Sequence, residues 1–204
     1  MDMTIVCFGD SLTEGYQSSL ELGRTGFTPY GQWLQEKIGE HGTVLIRGVC
    51  GEITQQMIER FPGDVLAHFP GYVVILGGTN DLGWGVPPKT VLANLLWMYS
   101  EAESHGIQAV GVTIPSLGGV GVRGASSLYG RAIQARMAVN EPLKNHCERQ
   151  KIPLVDLFTA TCDPVSQELA PEYSDDGLHL TTLGYHTLAS LLWNQVFKGL
   201  VKNR

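Results

Sequence analysis

Short, continuously apolar runs alternate with longer amphipathic stretches along this chain of 204 residues. Five runs are rich in β-branched and other apolar side chains, as strands are, and they cover residues 4–8, 43–46, 72–76, 107–114 and 153–157. Strands buried on both faces lack polar alternation, so the pattern predicts a parallel sheet between layers of helices. We therefore predict an α/β fold with a five-stranded parallel sheet, and one domain that spans residues 1–204.

The stretches between these runs carry apolar residues at helical spacing. They predict helices over residues 30–38, 54–61, 88–105, 127–150 and 181–197. Pro88 suits a first helical turn, and Gly106 suits the position after a last turn. Pro142 lies inside the fourth helix and is expected to kink or break it.

Composition argues against several classes of protein. The formal net charge is -6 and the chain has no run of Lys and Arg, so we expect no nucleic-acid partner. The N-terminal residues lack the basic and apolar regions of a signal peptide, and no segment approaches the length of a transmembrane helix. We therefore expect no membrane partner and a cytoplasmic location. The four cysteines form no CxxC pair, which argues against a zinc knuckle or a thioredoxin-type motif.

Polar and glycine residues follow the first three predicted strands. Asp10 and Ser11 follow the first strand, residues 48–51 the second and residues 78–81 the third. Ligands of open parallel sheets bind beyond the C-terminal ends of the strands. The sequence therefore predicts a functional site where these three segments meet.

Ser11 is a candidate nucleophile because it lies on a turn after a strand, between Gly9 and Gly15. A serine nucleophile needs a base, and the base needs an orienting group. His179 and Asp176, three residues before it, can supply both just before the last predicted helix. Simpler interpretations are a turn or helix-capping serine, and a loop aspartate beside a solvated histidine. Metal binding by Asp175, Asp176 and His179 is a further alternative, although no additional ligands appear at a recognised spacing.

Acyl transfer also needs hydrogen-bond donors for the oxyanion. Asn80 places an amide side chain at the end of the third strand, and Gly51 offers a backbone N–H after the second. Both residue types are also ordinary in turns.

These segments, taken in order, resemble the SGNH (GDSL) hydrolase family. Its four named residues match Ser11 in Gly-Asp-Ser-Leu, Gly51, Asn80 in Gly-Thr-Asn-Asp and His179 in Asp-Gly-Leu-His, and the family's aspartate matches Asp176. The resemblance implies a three-layer α/β/α sandwich with a flavodoxin-like sheet. It implies a carboxylic ester hydrolase that acts through an acyl-enzyme on Ser11, with a small-molecule acyl ester as partner and no metal or cofactor.

The resemblance also implies an oxyanion hole made by the N–H groups of Ser11 and Gly51 and the side chain of Asn80. The second segment departs from the family's usual Asn-x-Gly-x-Ser-Gly-Asp-Thr, because it has lost the asparagine and has Cys50 in place of the serine. The backbone donor of Gly51 is retained. A thioesterase, a carbohydrate deacetylase, an acyltransferase and a non-catalytic binding protein are alternatives on the same fold.

Two further features bear on ligands. Residues 119–124 match the Gly-x-Gly-x-x-Gly pattern of dinucleotide sites, but they trail the fourth strand and lack the following acidic strand end, which favours a cleft-edge loop. Trp84 lies in a loop after Asn80 and is a candidate substrate contact, whereas Trp97 and Trp193 have the spacing of core residues. Residues 16–29 and 116–126 are left to wall the cleft, which predicts small rather than long acyl groups.

Overall fold

The computed structural model describes residues 3–19, 24–118 and 128–202. Its strands are β1 (Met3–Gly9), β2 (Tyr16–Ser19), β3 (Arg24–Phe27), β4 (Gly42–Gly48), β5 (Tyr72–Leu76), β6 (Gln108–Val112) and β7 (Leu154–Val155). Its α-helices are α1 (Ser11–Glu14), α2 (Tyr30–Ile38), α3 (Thr54–Asp64), α4 (Thr79–Gly83), α5 (Pro88–Ser104), α6 (Leu128–Gln150), α7 (Leu157–Thr161), α8 (Thr182–Leu192) and α9 (Lys198–Lys202). A π-helical turn, Trp193–Phe197, joins α8 to α9.

Five strands form the central sheet in the order β4-β1-β5-β6-β7, and each neighbouring pair is parallel. Counted along the chain within this sheet, the order is 2-1-3-4-5, which is that of flavodoxin-like sheets. β2 and β3 form a separate antiparallel hairpin. The predicted α/β fold with a five-stranded parallel sheet is confirmed, whereas the assignment of the whole chain to one domain stays a prediction.

Alternate side chains of β1 pack on opposite faces of the sheet. Ile5 and Cys7 lie in one core with side chains of α2 and α8, and Val6 and Phe8 lie in a second core with side chains of α3, α5 and α6. All four side chains are fully buried. The strand lacks polar alternation because a helix layer covers each face. Burial of each large aliphatic or aromatic side chain contributes about 1.5–3 kcal/mol to this sandwich.

Most predicted elements are present, but some begin or end at other residues than predicted because local hydrogen bonds set their bounds. β7 has two residues instead of the five predicted, because Asp156 caps α7 by accepting a hydrogen bond from the Thr159 N–H at 3.1 Å. The β2–β3 hairpin was not predicted, since residues 16–27 show no alternation of polar and apolar residues. The prediction that Trp97 is a core residue is wrong, because its side chain is 42% exposed and contacts the core at Phe61, edge to face with ring centroids 6.3 Å apart.

The predicted break at Pro142 is wrong. α6 continues through Pro142 from Leu128 to Gln150. A proline inside a helix costs about 3 kcal/mol because it removes a backbone hydrogen bond and crowds the preceding turn. Val139, Leu143 and Cys147 flank Pro142 and are buried in the second core, and their burial offsets this cost.

No helix within the described ranges combines the length and the apolar composition needed to cross a bilayer.

Candidate active site

The C-terminal ends of three neighbouring strands meet at one edge of the sheet. Gly9 at the end of β1 pairs with Gly48 at the end of β4 and with Leu76 at the end of β5. The segments that follow therefore leave the sheet side by side. The structure thus brings together residues 10–11, 49–51 and 77–80, as the positions of the strands predicted.

Ser11 is the first residue of α1, directly after β1. The Asp10 carboxylate caps this helix by accepting a hydrogen bond from the Leu12 N–H at 2.9 Å. The turn lies so close to β4 that a Cβ on Gly48 would collide with the backbone of Glu14, which requires glycine at that position. Ser11 itself is 5% exposed, so the nucleophile candidate is held on a rigid turn under a nearly closed surface.

Gly51 lies in the exposed turn after β4. Its φ of 80° is in the left-handed region that favours glycine. The turn is fixed to α1 because the Glu14 carboxylate accepts a hydrogen bond from the Cys50 N–H at 2.7 Å. Within the described ranges, the N–H groups of Ser11 and Gly51 donate no hydrogen bond. Both N–H groups are therefore available to a ligand.

Asn80 lies in the first turn of α4, after β5. Its amide nitrogen donates a hydrogen bond to the Glu52 carbonyl at 2.8 Å, which fixes the side chain between the second and third strand ends. The neighbouring Asp81 accepts hydrogen bonds from the Thr54 N–H at 2.8 Å and the Thr54 hydroxyl at 2.6 Å. These bonds join α4 to the start of α3. One N–H of the Asn80 amide remains to serve a ligand.

Asp176 and His179 form a compact pair in the loop before α8. One carboxylate oxygen of Asp176 accepts a hydrogen bond from His179 Nδ1 at 2.7 Å. The other accepts bonds from the N–H groups of Leu178 at 2.9 Å and His179 at 2.7 Å. Since Asp176 occupies Nδ1, the other imidazole nitrogen, Nε2, is the one that can accept a proton from a substrate or a nucleophile.

Two opposing effects act on the pKa of Asp176. Partial burial would raise the pKa, but the hydrogen bonds from the side chain and N–H of His179 and from the N–H of Leu178 lower it below its usual value. The carboxylate therefore stays charged at neutral pH and can stabilise an imidazolium.

The loop that carries Asp176 and His179, together with the start of α8, packs against the first residues of β2, directly after α1. The rings of Tyr16 and His179 meet edge to face with centroids 4.6 Å apart. Gln17 donates a hydrogen bond to the Thr182 hydroxyl at 3.0 Å, and the Tyr185 hydroxyl donates one to the Tyr16 carbonyl at 2.6 Å. The imidazole is thus held beside the turn that carries the serine. The hydrogen bonds of the described residues include none between Ser11 and His179, although such bonds often form only with substrate bound.

A cavity of about 490 Å³ opens next to these residues. Its wall is formed by Thr79, Asn80, Leu82, Gly83, Trp84, Leu117, Ala132, Arg136, Asp176, Gly177 and Leu178. Trp84, which is 81% exposed, is one of these wall residues, and its role as a substrate contact stays a prediction. Ser11 and His179 are not among the wall residues, so the cavity flanks the predicted triad on its Asn80 and Asp176 side.

Arg136 brings a positive charge to the cavity wall although it is only 2% exposed. Burial lowers the pKa of its guanidinium to about 10. It donates hydrogen bonds to the carbonyls of Pro115 at 3.0 Å and Ala132 at 3.2 Å. The bond to Pro115 joins α6 to the segment after β6, whereas Ala132 lies on α6 itself.

Asp10 is a site residue to which sequence reasoning gave no role. It is completely buried, and one of its carboxylate oxygens has no hydrogen-bond partner in the described part of the chain. Burial raises the pKa of Asp10 to about 7, against the lowering effect of the bond from the Leu12 N–H. The position of Asp10 directly before the nucleophile candidate could have suggested a role in the site. Its complete burial could not be predicted, because residues in a turn are usually exposed.

Two alternatives from the sequence can be placed. Residues 119–124, with the dinucleotide-like glycine pattern, lie outside the described residues. In the part of the chain that the structure describes, Asp175, Asp176 and His179 do not assemble with each other or with further His, Cys, Asp or Glu side chains into a group of metal ligands.

Known proteins resemble this chain in sequence and in fold. The model of the GDSL-like lipase/acylhydrolase family matches residues 7–187. An arylesterase of Vibrio mimicus is 30% identical over 179 residues, which is 86% of this chain and 78% of the relative. An uncharacterized lipoprotein of Bacillus subtilis is 30% identical over 172 residues, with 74% of this chain and 69% of the relative covered. The crystal structure of the lipase/acylhydrolase from Enterococcus faecalis is similar with a TM-score of 0.74 and 25% identity, over 97% of this chain and 96% of that one.

Proposed function

Because the chain belongs to the GDSL-like lipase/acylhydrolase family and is a carboxylic ester hydrolase, we propose that it hydrolyses small acyl esters through an acyl-enzyme on Ser11. Asp176 and His179 complete the triad. The N–H groups of Ser11 and Gly51 and the amide of Asn80 bind the oxyanion. Thioesters and O-acetyl groups contain the same reacting carbonyl and are included in the proposed substrate class.

In the first step, Ser11 Oγ bonds to the ester carbonyl carbon while His179 Nε2 takes the hydroxyl proton. The negative charge that develops on the carbonyl oxygen is stabilised by the three donors. Collapse of this intermediate breaks the bond to the alcohol oxygen, and the alcohol leaves with the proton from His179. Water then attacks the acyl-enzyme, gives a proton to His179, and releases the acid as the Ser11 hydroxyl is restored.

The observation that carries the proposal is the location of the Asp176–His179 pair. The pair is joined at 2.7 Å and rests on Tyr16, so it lies beside the sheet edge that presents Ser11, Gly51 and Asn80. A base oriented by a carboxylate, beside a serine and unpaired N–H donors, is the arrangement that acyl transfer through serine needs.

The test compares Ser11→Ala with Ser100→Ala, which removes an exposed hydroxyl from α5. We expect Ser11→Ala to lose at least about 10³-fold in kcat on p-nitrophenyl acetate while its circular dichroism spectrum is unchanged. A fluorophosphonate should label the wild-type protein and Ser100→Ala but not Ser11→Ala. Near-native turnover by folded Ser11→Ala would refute the proposal.

A further inference from the structure

Arg60 on α3 contacts the C-terminal ends of both β1 and β4. It is largely buried, with 17% of its side chain exposed. Its guanidinium donates a hydrogen bond to the Gly9 carbonyl at 2.7 Å and another to the Arg47 carbonyl at 3.2 Å. The guanidinium also lies over the Phe8 ring, 4.2 Å from its centroid. Arg60 therefore holds the ends of β1 and β4 at the point where the chain turns into the site.

The same guanidinium binds the segment that carries the oxyanion donors. Its Nε lies 2.6 Å from the Glu52 carboxylate, and Glu52 directly follows Gly51. The backbone carbonyl of Glu52 in turn accepts the hydrogen bond from the Asn80 amide at 2.8 Å. Glu52 thus connects Arg60 to two of the three proposed oxyanion donors, through its side chain and its main chain.

Only a guanidinium can make this set of contacts at once. It offers five N–H donors in a planar fork, whereas a lysine ammonium is a single point on a flexible stem. The Arg60–Glu52 pair is mostly shielded from water, so the bond is charge-assisted and less screened than a surface ion pair. Asp64 is a second partner at 2.8 Å, but it lies on α3 itself, one turn further on, and its other ion pair is with Arg47 at 3.9 Å.

We propose that Arg60 is a positioning residue that sets the oxyanion donors relative to the nucleophile, acting through Glu52. This inference rests on the proposed function. It concerns the rate of the chemical step and not substrate binding, because Arg60 lies beneath the turn and is not part of the cavity wall. A displacement of about 1 Å at reacting groups can reduce a rate by 10²-fold, so loss of the contact should be visible in kcat.

The test is a double-mutant cycle on kcat with Arg60→Lys, Glu52→Gln and Asp64→Asn. Glu52→Gln keeps the carbonyl that holds Asn80 and removes the charge that Arg60 binds. Asp64→Asn is the matched control, because it removes the other carboxylate partner of Arg60 at the same distance range.

We expect Arg60→Lys to lower kcat for p-nitrophenyl acetate about 10–10²-fold with KM changed less than about threefold. The rate constant for labelling by a fluorophosphonate should fall in parallel. The loss in kcat should be smaller in the Glu52→Gln background and undiminished in the Asp64→Asn background. Circular dichroism and thermal unfolding measure how much of each variant is folded, so that the kcat values of folded protein are compared.

A folded Arg60→Lys variant with wild-type kcat would overturn the inference. An equal loss in both backgrounds would do so too, because Arg60 would then not act through Glu52. Failure of the proposed function has a different signature, since Ser11→Ala would then keep its activity and no fluorophosphonate label would depend on Ser11.

Discussion

The Asn80 amide donates to the Glu52 carbonyl in the structure, and we propose that it also donates to the oxyanion. Its bond to the Glu52 carbonyl leaves one N–H for the oxyanion. We expect Asn80→Ala to reduce kcat by about 10²–10³-fold with little change in KM, because the oxyanion exists only after the attack. Asn145→Ala on the exposed face of α6 is the control. A change mainly in KM would mean that Asn80 positions the substrate and does not bind the oxyanion.

The Asp176 carboxylate accepts bonds from a side chain and from two backbone N–H groups. Asp176→Asn can keep its oxygen on the N–H groups of Leu178 and His179, but its amide nitrogen would then face His179 Nδ1. The imidazole would carry its proton on Nε2 and could not accept the proton of Ser11. We expect kcat to fall about 10³–10⁴-fold with the fold unchanged.

Asp175→Asn separates this prediction from a metal site, since Asp175 is the exposed neighbour and belonged to the alternative ligand set. Its kcat should stay near the wild-type value, and EDTA should have no effect on either protein. Activity that is abolished by EDTA and restored by a divalent metal would contradict the serine mechanism.

The buried Asp10 carboxyl predicts a pH-dependent stability difference. Burial raises its pKa in the folded state to about 7, from 3.8. Between these values the unfolded chain loses the Asp10 proton and the folded chain keeps it, so this group's contribution to stability falls as pH rises to 7. We expect Asp10→Asn to gain stability relative to the wild type between pH 4 and pH 8, by at most about 4 kcal/mol.

The measurement is urea unfolding of both proteins at pH 4 and pH 8. Titrating groups remote from Asp10 contribute equally to both proteins and cancel in the comparison, whereas Asp81 and His179 act on the Asp10 charge and do not cancel fully. A difference in unfolding free energy that is the same at the two pH values would show that the pKa of Asp10 is the same in the folded and unfolded chains, and it would contradict the raised pKa.

At the scale of residues, the sequence predicted the contact between Asp176 and His179 but not the contacts that hold the site segments together. The Asp176–His179 hydrogen bond could be predicted because residues three apart in a loop can meet, although the catalytic roles of both stay predictions. Arg60 and Glu52 had no such signal. Their contact joins a helix to a turn, and it depends on the packing of α3 under the sheet, which no short pattern specifies.

The elements around the cleft bear on the size of the acyl group that we expect. Of the described segments near the site, the β2–β3 hairpin and α4, with Trp84 directly after it, are short. Each methylene that an open cleft buries contributes about 0.8 kcal/mol, and methylenes beyond its edge contribute nothing. We therefore expect kcat/KM for p-nitrophenyl esters to be highest for short acyl groups and to fall towards palmitate.

Rates should also rise smoothly through the critical micelle concentration of the longer esters, because the sequence of residues 116–126 has no sustained amphipathic pattern of the kind that binds an interface. The series from acetate to palmitate measures both properties, with Ser11→Ala as the background. A profile that keeps rising beyond medium chains, or a jump in rate above the micelle concentration, would indicate a lipase.

Among the elements, the buried ones were predictable and the peripheral ones were not. β5 and α2 have the predicted ends because their buried or partly buried residues extend to both ends of each element, so the apolar pattern marks its full length. The β2–β3 hairpin has one aromatic pair, Tyr16 with Phe27, and its other paired residues are polar or glycine, so no hydrophobic period marks it. The break predicted at Pro142 was wrong because the low helix propensity of proline was outweighed by the burial of its neighbours in the second core.

At the scale of the whole molecule, the sheet order explains why the convergence of the three segments could be predicted from the sequence. β1 lies between β4 and β5, so the three strand ends with polar residues are neighbours in space. The cytoplasmic location stays a prediction, and one relative is named a lipoprotein. Fractionation of cells that express the full natural gene product would test it.

The docking of the tail on Tyr16 and Gln17 joins chain positions 165 and 169 residues apart. A ribosome that has released the serine turn and all of the sheet strands has therefore still not released His179. Under the proposed mechanism, hydrolysis begins only after the loop that carries Asp176 and His179 has emerged and docked. Under that mechanism, turnover in a translation reaction reports the docking of this loop in each copy.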